Sequence, residues 1–275
     1  MKFAAVIGHP VKHSLSPAIF RAFSEAMRAP LEYTAIDVRP EGLAATLDAV
    51  CESPWVGLNV TLPHKEKIVP LLDRTAPEAR ALGAVNVVRF RGGKRSGYNT
   101  DVAGFMAPLK RQRTTLRGKV CVVLGAGGAS RAVCAALKKE RVGAIHLFNR
   151  TPARAARLAR EMKGKINVHS LSRKPLEEIL EEEKPALVVN ATSAGLDGRS
   201  SPLPRGVRLP KEAVAYDLIY RPEWTPFLRA ARKQGCDVVF GLGMLVAQAA
   251  ETWKIWFGES ISPKTLLAIE KALQD

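Results

Sequence analysis

The sequence has 275 residues, 47% hydrophobic and 25% charged, with a formal net charge of +16; that length builds one large or two medium cores and that balance reads as an ordinary globular chain. No apolar run approaches membrane-spanning length, and Phe3 to Ile7 is too short for a signal-peptide core before Gly8-His9-Pro10 breaks it. The four cysteines, Cys51, Cys121, Cys134 and Cys236, are scattered without a Cys-x-x-Cys spacing, so they read as reduced thiols of a cytoplasmic protein, and no metal site is expected. The positive field favours anionic partners, from nucleic acid to phosphorylated cofactors and carboxylate substrates. Basic residues are dense over Lys110 to Lys119 and Arg150 to Lys165, yet no aromatics interleave with them, so nucleic acid is not expected as a partner, and without a spanning run neither is a membrane.

In chain order, Lys2 to Ile7 predicts a strand and Gly8 to Pro17 a polar loop, with Ser16 as N-cap and Pro17 as first residue of a helix through Met27. A strand at Leu31 to Asp37 and a helix at Pro40 to Val50 follow. Val56 to Val60 predicts a third strand running into Thr61-Leu62-Pro63-His64-Lys65, with a helix after it. Val85 to Phe90 reads as a short strand closed by the turn Arg91-Gly92-Gly93-Lys94, and Gly97 to Asp101 as a turn opening a helix that reaches Lys110. Arg111 to Arg117 is a polar linker.

From Val120 the alternation restarts. Val120 to Leu124 has the composition of a buried parallel strand, and it ends in Gly125-Ala126-Gly127-Gly128 before a helix. Strand, glycine turn and helix open a dinucleotide-binding βαβ unit, in which Gly125 allows the tight turn and Gly127 lets the backbone approach a pyrophosphate at the helix N-terminus. The third fingerprint position is Ser130, where Gly or Ala is usual. Later strands are expected at Ile145 to Asn149, Leu187 to Asn190, Ala213 to Leu218 and Val238 to Gly241. Helices are expected at Ala153 to Met162, Leu176 to Glu182 and Met244 to Phe257, with Ser262-Pro263 capping a last one. The fold class is therefore α/β with two domains, and a cleft is the expected site.

Two features point to the cofactor and the chemistry. The second strand of the nucleotide unit ends Asn149-Arg150-Thr151, with Arg154 one turn on. It lacks the acid that would take ribose hydroxyls, and a guanidinium there suits a 2′-phosphate. Thr61 and Lys65 follow a buried strand at its C-terminal end, where α/β sites lie, while Asp101 starts a helix. Alone, Lys65 reads as a solvated charge and Asp101 as a cap.

Taken together with the remaining clusters, the chain resembles the shikimate dehydrogenase family from Gly8 to Gln248. The pieces are Gly8-x-Pro10 with His13-Ser14-x-Ser16-Pro17; Asn59-Val60-Thr61-x-Pro63-x-Lys65; Gly83-Ala84-Val85-Asn86; and Gly97-x-Asn99-Thr100-Asp101-x-x-Gly104-Phe105. Gly125 to Ala129, Asn149-Arg150-Thr151, Asn190-Ala191-Thr192-Ser193, Asp217-x-x-Tyr220-x-Pro222-x-x-Thr225-Pro226 and Gly241-x-Gly243-Met244-Leu245-x-x-Gln248 continue it. The resemblance implies NADP-dependent, reversible reduction of 3-dehydroshikimate to shikimate, a step of aromatic amino-acid biosynthesis.

By resemblance Lys65 and Asp101 are the catalytic pair. Ser14, Ser16 and Tyr220 would meet the substrate carboxylate, and Thr61, Asn86 and Gln248 the ring hydroxyls with Lys65 and Asp101. Gly125, Ala126, Gly127, Gly128 and Ala129 would hold the pyrophosphate; Asn149, Arg150, Thr151 and Arg154 the adenosine half; Leu218 and Gly241 would border the nicotinamide. The implied organisation is a substrate domain over residues 1–102, a Rossmann-type NADP domain over 103–242, and helices over 243–275 returning to the first domain, in a monomer or homodimer. Phe20-Arg21 stands where members often carry His-Asn, Val87 where Thr is common, and Pro77 where some offer a polar contact. The alternatives are a quinate/shikimate dehydrogenase of dual specificity and a non-catalytic ligand-binding relative. Asn149-Arg150-Thr151 and the Ser14/Ser16 pair argue against the first, and retention of Lys65 with Asp101 against the second.

Overall fold

A computed structural model describes residues 1–51, 54–162 and 164–274. The chain folds into two units, Met1–Gly104 with Val246–Asp275, and Phe105–Leu245. In the first, β1 (Lys2–Gly8), α1 (Ser16–Ala26), β2 (Leu31–Asp37), α2 (Leu43–Ala49) and β3 (Trp55–Val60) form a βαβαβ run. They are followed by β4 (Arg74–Thr75), α3 (Pro77–Leu82), β5 (Val87–Arg91), β6 (Lys94–Tyr98) and the start of α4 (Asp101–Arg111). The sheet order is β2-β1-β3-β5-β6-β4. The apolar strand β1 is buried from Ala4 to Gly8 and parallel to both neighbours, whereas β5 and β6 form an antiparallel hairpin beside β3. Ile7, Leu47, Leu58, Ile68, Val85 and Val88 pack in one core of this unit.

The second unit contains β7 (Val120–Leu124), α5 (Gly128–Lys139), β8 (Ala144–Asn149), α6 (Pro152–Met162), β9 (Ile166–Ser170) and α7 (Arg173–Glu182). It continues with β10 (Leu187–Asn190), β11 (Val214–Asp217), α8 (Pro226–Lys233), β12 (Asp237–Val239) and the start of α9 (Gly241–Phe257). Its strand order is β12-β11-β10-β7-β8-β9, and every pair is parallel. Counted from β7 this is the 3-2-1-4-5-6 order of a doubly wound dinucleotide fold, with the order reversing between β7 and β10. Ligands bind at the carboxyl ends of strands at such a reversal, and there β7 ends in the glycine turn.

The latter part of α9 belongs to the first unit, as does α10 (Pro263–Ala272), which Ser262 caps by accepting from Thr265 N. Trp256 of α9 donates from Nε1 to Val88 O at 3.0 Å. A Cβ on Gly57 would lie 2.1 Å from that same carbonyl and 2.3 Å from Trp256 Nε1. Only glycine lets the indole cross β3 there. No helix among the described residues is long and apolar enough to cross a membrane.

Three local expectations are corrected. Ser16 is the first helical residue and not the cap: Leu15 occupies the N-cap position with no side-chain cap, and the Ser16 hydroxyl accepts from Ser14 Oγ at 3.1 Å. The segment after Lys65 forms turns and a short 3-10 turn at Val69–Leu71 in place of an α-helix. Gly97 and Tyr98 close β6, where they pair with Val88 and Val87. The edge strand β9, which the sequence reading omits, pairs along β8.

Candidate active site

The first unit gathers four of the expected residues into one hydrogen-bonded group. Lys65 sits in the turn after β3. His64, fully buried, donates from Nε2 to Val38 O at 2.6 Å, and Val85 N donates to Lys65 O at 2.8 Å, so backbone on both sides of the lysine is anchored. Asp101 opens α4, where a carboxylate complements the positive end of the helix. Lys65 Nζ lies 2.6 Å from Asp101 Oδ2, and the two side chains keep only 18% and 9% of their accessibility. Asn86, at the start of the β5 hairpin, donates from Nδ2 to Asp101 Oδ1 at 2.8 Å and accepts Thr100 N on its Oδ1 at 2.8 Å. Gln248 of α9 brings Oε1 within 3.4 Å of Asn86 Nδ2 and 3.3 Å of Thr100 Oγ1. Each oxygen of the Asp101 carboxylate is thus engaged by a donor placed by a separate element, which fixes the carboxylate and, through it, the ammonium.

Ser14 and Ser16 form a second pair in the same unit. Ser14 donates to Ser16 Oγ at 3.1 Å and accepts Ser16 N at 3.2 Å. Thr61 follows β3, with its N–H on Ile7 O at 2.9 Å. A Cβ on Gly8 would fall 2.4 Å from the Thr61 methyl, so this glycine makes room for the threonine.

The second unit holds the residues expected at a dinucleotide. Gly125 has φ of +105°, and a Cβ there would meet Thr192 Cγ2 at 2.8 Å and Ala191 O at 2.9 Å. A Cβ on Gly127 would meet nothing within 4 Å, so the backbone in front of α5 faces open space. Asn149 braces this turn: its Oδ1 accepts Ala126 N at 3.2 Å and its Nδ2 donates to Thr151 O at 2.8 Å. Ser130, fully buried, accepts Gly127 N at 3.2 Å, which explains a hydroxyl at the third fingerprint position. Gly128 and Ala129, at the first two positions of the helix, present N–H groups that α5 cannot itself satisfy. Arg150, Thr151 and Arg154 are exposed just beyond β8. A pyrophosphate at the α5 N-terminus and a 2′-phosphate beside the two guanidiniums fit this donor set.

Asp217 and Asn190 hold the loops past β10 and β11. Asp217 is fully buried and accepts from Thr225 Oγ1 at 2.6 Å, Ile219 N at 3.0 Å and Asn190 Nδ2 at 3.0 Å. Burial pushes its carboxyl up, against the lowering effect of those bonds. Asn190 also accepts Thr192 N and Oγ1 and donates to Ala194 O, so Asn190 to Ser193 is a braced loop. Tyr220 follows β11, half-buried, with its phenol raised by burial. Gly241 is explained by packing, because a Cβ would lie 2.5 Å from Leu218 O and 2.6 Å from Ile219 O. Among residues the sequence reading left without a role, Tyr33, Thr100 and Thr252 join these networks. The spacing of Thr252 from Gln248, one helical turn, is the one signal that could have flagged it.

Comparison with known proteins agrees in order along the chain. The family patterns for the Shikimate dehydrogenase substrate binding domain, Shikimate / quinate 5-dehydrogenase and the Shikimate 5'-dehydrogenase C-terminal domain match residues 6–88, 108–196 and 241–267. Shikimate dehydrogenase (NADP(+)) of Moorella thermoacetica is 42% identical over 260 residues, covering 92% of this chain and 87% of that protein. Shikimate 5-dehydrogenase of Thermus thermophilus, solved in complex with NADP(H) and shikimate, is 40% identical with a TM-score of 0.88 over 99% of both chains. The ligand-free 5-ketofructose reductase of a Gluconobacter strain is 32% identical, with a TM-score of 0.85 over 99% of this chain and 98% of that one. With such identity spanning nearly the full length, and with the glycine turn and the Lys65–Asp101 pair in place, the chain belongs to the shikimate dehydrogenase family.

Proposed function

We propose that this protein catalyses the reversible, NADP-dependent reduction of 3-dehydroshikimate to shikimate, with Lys65 and Asp101 as the proton-transfer pair. The observation that carries the assignment of roles is the 2.6 Å contact between Lys65 Nζ and Asp101 Oδ2, held in a polar network with Asn86 and Gln248. The fold alone would not select a substrate, since related chains reduce other carbonyls.

Bound NADPH supplies the hydride that reaches the carbonyl carbon. Lys65 donates a proton to the oxygen on which negative charge develops, and takes it back in the oxidation direction. Asp101 holds the ammonium in place. Asn86, Thr61 and Gln248 orient the ring hydroxyls, and Ser14, Ser16 and Tyr220 the carboxylate. Gly125 to Ala129 take the pyrophosphate chiefly through the N–H groups of Gly128 and Ala129. Arg150, Arg154 and Thr151 take the adenosine phosphate over a turn braced by Asn149. Leu218 and Gly241 border the nicotinamide.

The four free cysteines suit a reducing compartment, and we place the reaction in the cytoplasm, with the protein a monomer or homodimer. The test is NADPH formation from shikimate and NADP, with NAD and quinate crossed in. Turnover only with shikimate and NADP is expected. Turnover chiefly with quinate would reassign the substrate, and silence with every pair from folded protein would refute an enzymatic role.

A further inference from the structure

Thr100 directly precedes α4 and is only 3% exposed. Its hydroxyl lies between the side chains of two residues assigned to the substrate hydroxyls, 3.0 Å from Asn86 Nδ2 and 3.3 Å from Gln248 Oε1. Its own N–H is donated to Asn86 Oδ1 at 2.8 Å.

The direction of these bonds is forced from one end. The Asp101 carboxylate can only accept, so the group 2.8 Å from its Oδ1 is the NH2 of Asn86. The Thr100 N–H can only donate, and it faces the other end of the same amide, so groups of fixed polarity assign both ends of Asn86. With Asn86 Nδ2 donating to Thr100 Oγ1, the single hydroxyl proton of Thr100 goes to Gln248 Oε1. The reverse orientation of Gln248 would set its NH2 3.4 Å from the NH2 of Asn86, donor against donor. One carboxylate thus dictates, through Asn86 and Thr100, which end of the Gln248 amide enters the network.

We infer that Thr100 is a positioning residue for Gln248: its hydroxyl holds the amide oxygen inward, so that the amide nitrogen, a donor, is the end Gln248 brings to the substrate hydroxyl. This inference rests on the assignment of Gln248 to a ring hydroxyl. The other group facing Gln248 Oε1, Asn86 Nδ2 at 3.4 Å, is at the limit of a hydrogen bond, and its two hydrogens are already directed to Asp101 and Thr100. The hydroxyl therefore carries the orientation. The physical gain is preorganisation: the terminal torsion of a glutamine is broad and roughly two-fold, and fixing it in the folded protein removes that ordering cost from the binding step.

The test is a double-mutant cycle read by calorimetric binding of shikimate and by steady-state kinetics. Thr100→Val keeps the shape and loses the hydroxyl. It should weaken shikimate binding about threefold to tenfold, the worth of one neutral hydrogen bond, and raise KM for shikimate while KM for NADP stays level and kcat changes little. Thr100→Ser, which keeps the hydroxyl and loses the methyl, should bind within about twofold of wild type. Made on Gln248→Ala, Thr100→Val should have almost no further effect on shikimate binding, because the side chain through which it acts is gone. Unchanged shikimate binding in Thr100→Val, equal losses in both backgrounds, or a parallel rise in KM for NADP would overturn the inference. Should Thr100→Val fail to fold, Thr100→Ala set against Thr100→Ser makes the same comparison. A loss in the alanine variant alone supports the role of the hydroxyl, and equal losses in the two overturn it. Wild-type protein that neither binds nor oxidises shikimate would defeat the proposed function itself. Wild-type binding with an additive cycle defeats only the role of Thr100.

Discussion

Replacing Lys65 with Met, Asp101 with Asn, and both together separates what the pair does for turnover from what it does for stability. At 2.6 Å and an effective dielectric of about 20, the gross attraction is about 6 kcal/mol. Desolvation offsets much of this, but removing one partner of a largely buried pair costs about 3–5 kcal/mol, because the other charge is left uncompensated. Lys65 keeps 18% of its side-chain accessibility, so Asp101→Asn is placed at the lower end, near ~3 kcal/mol. Asparagine at 101 can also turn an NH2 group toward the ammonium, donor against donor. The double variant removes the stranded charge and should recover much of the lost stability in urea unfolding. Turnover should behave differently. Each single variant loses about a hundredfold to ten-thousandfold in kcat, the range for a positioned proton donor, and the double variant is no slower than the worse single one, as for groups acting as a unit. A Lys65→Met enzyme within tenfold of wild type, or kcat losses that multiply in the double variant, would refute the pairing of these residues in one step.

Arg150→Ala with Arg154→Ala should raise KM for NADP about tenfold to a hundredfold, the value of one or two charge-assisted bonds, while KM for NAD stays level; a parallel rise in both would place the arginines away from the phosphate. Gly241→Ala should cost roughly 1–3 kcal/mol, since its Cβ would lie 2.5 Å from a backbone carbonyl that cannot easily give way; an unchanged melting temperature would contradict that packing. His169 is held below the ordinary histidine value, first by burial and then by His146, whose Nδ1 lies 2.9 Å away and whose Nε2 bonds Glu183. The folded state therefore takes up this proton at lower pH than the unfolded chain, so stability should fall as pH drops below about 6.5. His169→Gln should flatten that slope in unfolding measured across the window, and an unaltered slope would exclude this histidine as its source.

Much of the molecule was legible in one dimension because the relevant signals are local. A buried β-branched run ending in Gly125-Ala126-Gly127-Gly128 has few other uses, and the missing acid after Phe148 bears directly on cofactor charge. The Ser16 cap failed because Ser-Pro is a local signal: the helix cap falls one residue earlier, at Leu15, and the Ser16 hydroxyl is taken up by Ser14. The edge strand β9 has the mixed run Ile-Asn-Val-His-Ser, half exposed and without clean alternation, so only pairing with β8 reveals it. The turns after Lys65 took helical composition and used it otherwise, with His64 pinned to Val38.

Lys65, Asp101, Asn86 and Gln248 could be singled out in the sequence only through the family resemblance of the short motifs that carry them, since alone Lys65 reads as a solvated charge and Asp101 as a cap. Their partnership could not. Asn86 and Gln248 are 162 positions apart and meet at 3.4 Å, and Asn59 reaches Thr252 across 193. Such contacts arise only once α9 has packed on the sheet of the first unit, with Trp256 crossing Gly57. The reason is physical: motif spacing encodes backbone geometry over a few residues, whereas hydrogen bonds between distant elements depend on how whole helices and strands bury their apolar faces.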